Sequence, residues 1–451
     1  MMTLQRLKRF RWMMILLVLA LVAIPMYVAY QAPSDAAPAA PSTGMVCTSN
    51  PSSTFTLTAT DGYTNMADGN IIYMWGYATG ENDFQHPSPV LCVNEGDTVT
   101  IVLHNSLPED VSIIFPGQKN VLANSTPAQP QFDSQGNMTS MAPVATANGG
   151  SMTYSFVAEK PGTFYYESGT NPGIQVQMGL FGALIVRPAM GANFAYNLAD
   201  TQFNPDTEYI MMLSEIDPLL HQAVERGESF DMNNYQARYF LINGRTFPDT
   251  IAPNFASWLP TQPYSSLAYL HPHDENQLLP DGVTPNPAYN PLPALARYVG
   301  LGLETYPFHP HAFNGRIIAR DANPLKGPNG EDLSQELFSV PIGPGQTTDS
   351  MFDWKNTEGW DPQGPQIPVQ LPDGQNLNYG LFYGSPYLGN MDNLPVGTTD
   401  FNVCGEFYHI AHNHALQQIT GWGVVLIGQI TFTRIDPPLR YLPDGSIGNG
   451  C

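Results

Sequence analysis

The sequence predicts an all-β protein of sandwich-type domains, and three observations carry that prediction. Glycine (40) and proline (42) punctuate the 451 residues, which favours turns and works against long helices. Short runs alternate apolar and polar residues with a period of two, the mark of strands with one face in a core. Turn-forming clusters, not a 3.6-residue periodicity, separate those runs.

Along the chain, Arg6, Lys8, Arg9 and Arg11 precede an apolar run from Trp12 to about Tyr30. A basic segment before an apolar one marks export, and this run is nearly long enough to cross a bilayer. Residues 1–30 therefore read as a signal peptide or a membrane anchor, and residues 31–47 as a Pro/Ala-rich linker. The expected location is the periplasm, the outer face of a membrane, or outside the cell.

A first block, 48–189, contains DTVTIVLHN, where Val99, Ile101 and Leu103 share one face. SMTYSFVAEKPGTFYYES follows as two strands broken at Lys160-Pro161-Gly162, and MGLFGALIVRP as a continuously apolar strand. A second block, 205–438, carries EYIMMLSEI, ARYFLING, FNGRIIARD and GWGVVLIGQITFTRI as strand candidates, with a short helix near His221–Arg226. Its two long loops, Leu270–Pro293 and Asn356–Thr399, are of a length that is usually functional. Residues 439–451 form a tail.

Charge narrows the partners. A net charge of −22 excludes nucleic acid, whose phosphates need clustered Lys and Arg. It suits attraction of cations or of a basic protein partner. Four cysteines (Cys47, Cys92, Cys404, Cys451) in an exported chain predict two disulfides, with three pairings open.

Several segments, in order, resemble the multicopper oxidases. GTFYYESGTNPGIQVQMGLFGALIVRP is similar to the strand-loop-strand of their second H-x-H pair, and YFLINGRTFPDT to the strand opening a later domain. YPFHPHAFNGRIIARD resembles their H-P-x-H-x-H segment, and CGEFYHIAHNHALQQITGWG occupies the place of their H-C-H-x-x-x-H segment. The resemblance implies two cupredoxin-like Greek-key β-sandwich domains with long loops. It also implies a type 1 copper held by two His and a Cys, and a trinuclear copper cluster held by four H-x-H pairs. Side chains two apart on a strand share a face, which is why H-x-H suits a metal.

Most of those ligands are replaced. Ile114 and Pro116 stand where the first pair falls, and Glu167 and Gly169 where the second does. Tyr306 replaces a type 1 His, Phe407 a cluster His and Tyr408 the Cys. His309, His311 and His409 remain, and His414 approximates the last type 1 His. Dioxygen reduction by the family mechanism is therefore not expected. The expectation is one copper ion, or zinc, held in the second block by His309, His311 and His409, with His412 and His414 close by. Two readings stand beside it. One is a non-catalytic scaffold that binds a redox or envelope partner, as a monomer or a homo-oligomer. The other is a mononuclear blue-copper carrier using Cys404. His271-Pro272-His273-Asp274 reads as an exposed polar loop.

Overall fold

A computed structural model describes residues 43–80, 83–289, 291–311, 313–355, 407–423 and 426–435, with two further strand pairs at 368–369/400–401 and 440–441/447–448. The N-terminal segment, most of the Asn356–Thr399 loop, Cys404 and Cys451 lie outside the described residues. The all-β expectation holds.

In the first block, β1 (Thr54–Asn65), β2 (Ile71–Ala78), β3 (Leu91–Asn94), β4 (Thr98–Asn105), β5 (Gly150–Val157), β6 (Gly162–Glu167) and β7 (Phe181–Arg187) build two sheets. One runs β2-β1-β4-β5 and continues into a short hairpin; the other runs β6-β7-β3. On β4, Val99, Ile101 and Leu103 are fully buried while their neighbours are half-exposed or exposed, so the period-two pattern reports the core face. Leu57, Trp75, Ile101 and Tyr154 from one sheet pack against Phe164, Leu184 and Val186 from the other. Each fully buried aliphatic side chain there contributes about 1.5–3 kcal/mol.

The second block begins with β8 (Glu208–Ile216), helix α1 (Pro218–Glu225) and β9 (Tyr239–Ile242). It continues through β10 (Ala268–Leu270), β11 (Ala294–Gly300), β12 (Tyr306–Pro310), β13 (Gly315–Arg320), β14 (Val340–Ile342) and β15 (Thr347–Phe352). It ends with β16 (Phe407–Asn413), helix α2 (Leu416–Thr420) and β17 (Ile430–Ile435). One sheet runs β9-β8-β11-β15-β13 and the other β10-β17-β16-β12-β14. Met211, Tyr298 and Phe352 of the first face Tyr306, Phe308, Ala411 and Ile435 of the second.

The predicted helix is displaced. It begins at Pro218, where Asp217 accepts a hydrogen bond from the Leu219 N–H, a side-chain N-cap followed by proline at the first turn. The strand expected over GWGVVLIGQITFTRI is shorter, because Gly421 closes α2 in the left-handed region and β17 starts only at Ile430.

The strands β7 and β8 are buried on both faces for a structural reason. Leu184 and Val186 face the first core, whereas Phe181, Ala183 and Ile185 meet Ile210 and Met212 of β8 and Val299 of β11 in a third cluster. A polar network crosses the same seam. Glu208 accepts from Arg187 and Arg297, each at 2.7 Å, and Asp349 accepts from Thr163 and Tyr196.

Candidate metal centre

Strands β12 and β16 are antiparallel neighbours, with Phe308 opposite Asn413, His309 opposite His412 and Pro310 opposite Ala411. Alternation on β12 turns Tyr306, Phe308 and Pro310 into the core, leaving His309 on the half-buried outer face. On β16, Ala411 and Asn413 are buried and His412 takes the opposite face. The register therefore sets His309 and His412 side by side, and the chain just beyond each strand adds His311 and His414.

Four imidazoles result. The ring centroids of His309 lie 4.7 Å from His311, 5.6 Å from His412 and 5.3 Å from His414. The His311 and His412 Nε2 atoms are 3.0 Å apart. Backbone carbonyls set two tautomers: His309 Nδ1 is held by the Phe338 carbonyl and His412 Nδ1 by that of Asn413 at 2.6 Å. A carbonyl can only accept, so each Nδ1 carries the proton and each Nε2 keeps its lone pair. Burial, followed by the neighbouring imidazoles of His412, His309, His409 and His414, holds His311 below the ordinary histidine range. Burial also lowers His412. These rings are thus biased to the neutral form that binds metal. A cleft of about 380 Å³ opens beside them, lined by His309, Pro310, His311, Phe313, Asn314 and Phe338.

His409 is placed differently from its neighbours on β16. Its Nε2 accepts a hydrogen bond from Trp354 Nε1 at 3.1 Å, and Trp354 lies in the core. His409 and His412 are three residues apart on one strand, which puts them on opposite faces. His409 is still one of the neighbouring imidazoles that help to hold His311 below the ordinary range. Among the described residues, no three His, Cys, Asp or Glu side chains stand as a complete metal-holding group. His273 lies in a short parallel bridge in which Pro272 opposes Trp354. The blue-copper alternative rests on Cys404, outside the described residues.

Ile114, Glu167 and Gly169, which the resemblance aligned with cluster ligands, lie together in the first block. Ile114 and Glu167 form an antiparallel bridge, exchanging both backbone hydrogen bonds. A Cβ on Gly169 would lie 2.7 Å from Ile114 Cγ2 and 3.0 Å from Ser112 Oγ. Burial pushes the Glu167 carboxyl up to about 7. Tyr306 is fully buried and its hydroxyl is held by the carboxylate of Glu215.

Sequence reasoning missed Glu215, Trp354 and Phe338 as neighbours of these positions. An acid inside the apolar run EYIMMLSEI was the available signal for Glu215, since a buried carboxylate demands partners. The NGR motif it did identify is structural. Asn243 and Gly244 both take positive φ, and Arg245 is buried with its guanidinium donating to the carbonyls of Gln262 and Ala252.

The sequence model of the multicopper oxidase family matches residues 77–191. L-ascorbate oxidase of Cucurbita maxima is 30% identical over 181 residues, covering 38% of this chain and 28% of that protein. Copper resistance protein A of Escherichia coli is 29% identical over 173 residues, covering 37% of this chain and 25% of that one. The matched part thus spans little more than a quarter of these relatives. In structure, the multicopper oxidase mgLAC aligns with a TM-score of 0.54 at 19% identity, covering 85% of this chain and 86% of that one. A blue copper oxidase from Nitrosomonas europaea aligns with a TM-score of 0.53 at 20% identity, covering 85% of each. These likenesses establish the cupredoxin-like fold.

Proposed function

We propose that this chain is a member of the multicopper oxidase family, on the match of residues 77–191 and the likeness to L-ascorbate oxidase, and that it is an exported copper-binding member that holds a single ion and has lost the oxygen-reducing machinery. The observation that carries the reading is the pair of imidazole nitrogens 3.0 Å apart on His311 and His412, each beside His309.

The donor set suits copper. Neutral imidazoles bind copper and zinc well, and an outer hydrogen bond that fixes the tautomer is a regular companion of a metal-ligating histidine. His309 and His412 have that bond. His311 and His414 are exposed, and both rings stand beside that of His309. In this reading His309, His311 and His412 hold the ion and His414 is the fourth donor. A copper ion so held supplies one-electron redox chemistry.

The remainder of the family's apparatus is argued to be gone from the residues that replace it. Ile114 has no donor atom and Glu167 is pushed toward the neutral acid. Tyr306 is engaged with Glu215 in the core. In this reading the acidic surface serves a basic redox or envelope partner. The test is electron paramagnetic resonance of the protein loaded with one equivalent of Cu(II). Nitrogen couplings from imidazoles that disappear in His412→Ala, with no catalysed oxygen uptake, are expected. Oxygen uptake at family rates, or a spectrum indifferent to His412, would contradict the reading.

A further inference from the structure

The Tyr306–Glu215 pair is built as more than a plug. Both residues are buried, Tyr306 fully and Glu215 to 2% exposure. Glu215 accepts hydrogen bonds at Oε1 from Gln177, from the Tyr235 hydroxyl and from the Leu303 N–H, at 3.0, 2.9 and 2.7 Å. Its Oε2 takes the Tyr306 hydroxyl. Gly302 at φ +98° lets the loop close over the carboxylate, where any Cβ would lie 2.5 Å from Oε2. The four donors come from β12, from the loops carrying Gln177 and Leu303, and from the segment before β9, so the carboxylate is fixed from several directions.

The Tyr306 oxygen has a second neighbour, the Leu301 carbonyl, at 3.1 Å. Two proton arrangements therefore fit the same heavy atoms. With Glu215 ionised, Tyr306 donates to Oε2. With Glu215 protonated, its O–H donates to the tyrosine oxygen and Tyr306 donates to Leu301. The protonated arrangement pairs the carboxyl, the phenol and the Leu301 carbonyl together, whereas the ionised one gives the phenolic proton to Glu215 and leaves the Leu301 carbonyl without it.

We propose that Tyr306 is a redox-active tyrosine with Glu215 as its built-in proton acceptor. On oxidation the phenolic O–H bond breaks, the proton forms an O–H bond on Glu215 Oε2, and one electron leaves to a one-electron oxidant, which is reduced by one. The product is a neutral phenoxyl radical that accepts a hydrogen bond from the Glu215 acid. Without a local base, the electron could leave only from a phenol that stays cationic in a buried site, which desolvation opposes. The oxidant is an external one-electron acceptor stronger than a Cu(II)–imidazole site, so the inference does not rest on the proposed function.

The experiment supplies the oxidant from outside, so the two readings fail separately. Photogenerated tris(bipyridine)ruthenium(III), a cation suited to this acidic protein, is applied to the metal-free full chain at a pH above 7 and the sample is frozen for paramagnetic resonance. A persistent tyrosyl signal is expected in the wild type and in Tyr235→Phe, and its loss in Tyr306→Phe. In the wild type itself, exchange into heavy water should reveal one strongly coupled deuteron, the returned proton on Glu215. That reading does not depend on any variant folding. The proposal is overturned if the wild type shows no persistent signal, if the signal survives in Tyr306→Phe, if it moves with Tyr235, or if the radical lacks the deuteron coupling.

Discussion

Glu208 and Glu215 stand seven residues apart on one strand, both buried, and their surroundings drive them in opposite directions. Burial raises Glu208, but Arg297 and then Arg187 outweigh it and hold the carboxyl below the ordinary value of 4.5. Glu215 has only neutral donors, and burial lifts it to about 7. The signs follow from proton counting. The Glu208 contribution is present above pH 4.5 and is lost as pH falls through its lowered value. For Glu215 the native state holds the proton more tightly than the unfolded chain, so stability declines as pH rises from 4.5 to about 7. Denaturant midpoints measured across pH should show that decline, and Glu215→Gln should flatten it; an unchanged slope would show that Glu215 does not titrate there. Glu208→Ala leaves the fully buried Arg297 without its closest partner and should destabilise by about 3–5 kcal/mol. A change below about 1 kcal/mol would show that Asp349, 3.6 Å from Arg297, suffices.

At the scale of elements, the disulfide joins Cys47 to Cys92, ties the segment before β1 to β3, and closes a separation of 45 residues. Constraining a loop of that length stabilises by about 3–5 kcal/mol. Cys47→Ser/Cys92→Ser should lower the unfolding midpoint accordingly, and alkylation without reduction should leave both cysteines unlabelled. Strands such as β4 and β8 were legible because their periodicity and apolar runs are local properties of the chain. The pairing Cys47–Cys92 was not, because it depends on how the segment before β1 lies along β3. The histidine cluster was half legible. His309 and His311 share a face by their spacing, and the resemblance sets His409, His412 and His414 near them; which of these lies beside His309, and that His409 meets Trp354, requires the β12–β16 register. A one-residue slip would reverse every face. No local pattern fixes that register, since the strands are about a hundred residues apart in sequence.

Across the whole molecule, the seam between the blocks is both apolar and charged. Phe181 and Ile185 bury against Ile210 and Met212, while Arg187, Glu208, Arg297, Thr163 and Asp349 bond across it. Such a seam fixes the second block's first sheet, and β12 and β16 are interior strands of the sheet packed against it, flanked by β14 and β17. The rings that meet, His309, His311, His412 and His414, all belong to the second block. The account therefore predicts a copper stoichiometry and not an oxidase. The direct test is copper content per folded chain after loading and exhaustive dialysis, for the wild type and for His311→Ala/His412→Ala. One tightly held copper in the wild type and its loss in the double variant, with the strand-rich circular dichroism unchanged, is the predicted result. A wild type that retains no copper, or a double variant that retains as much as the wild type, would contradict it.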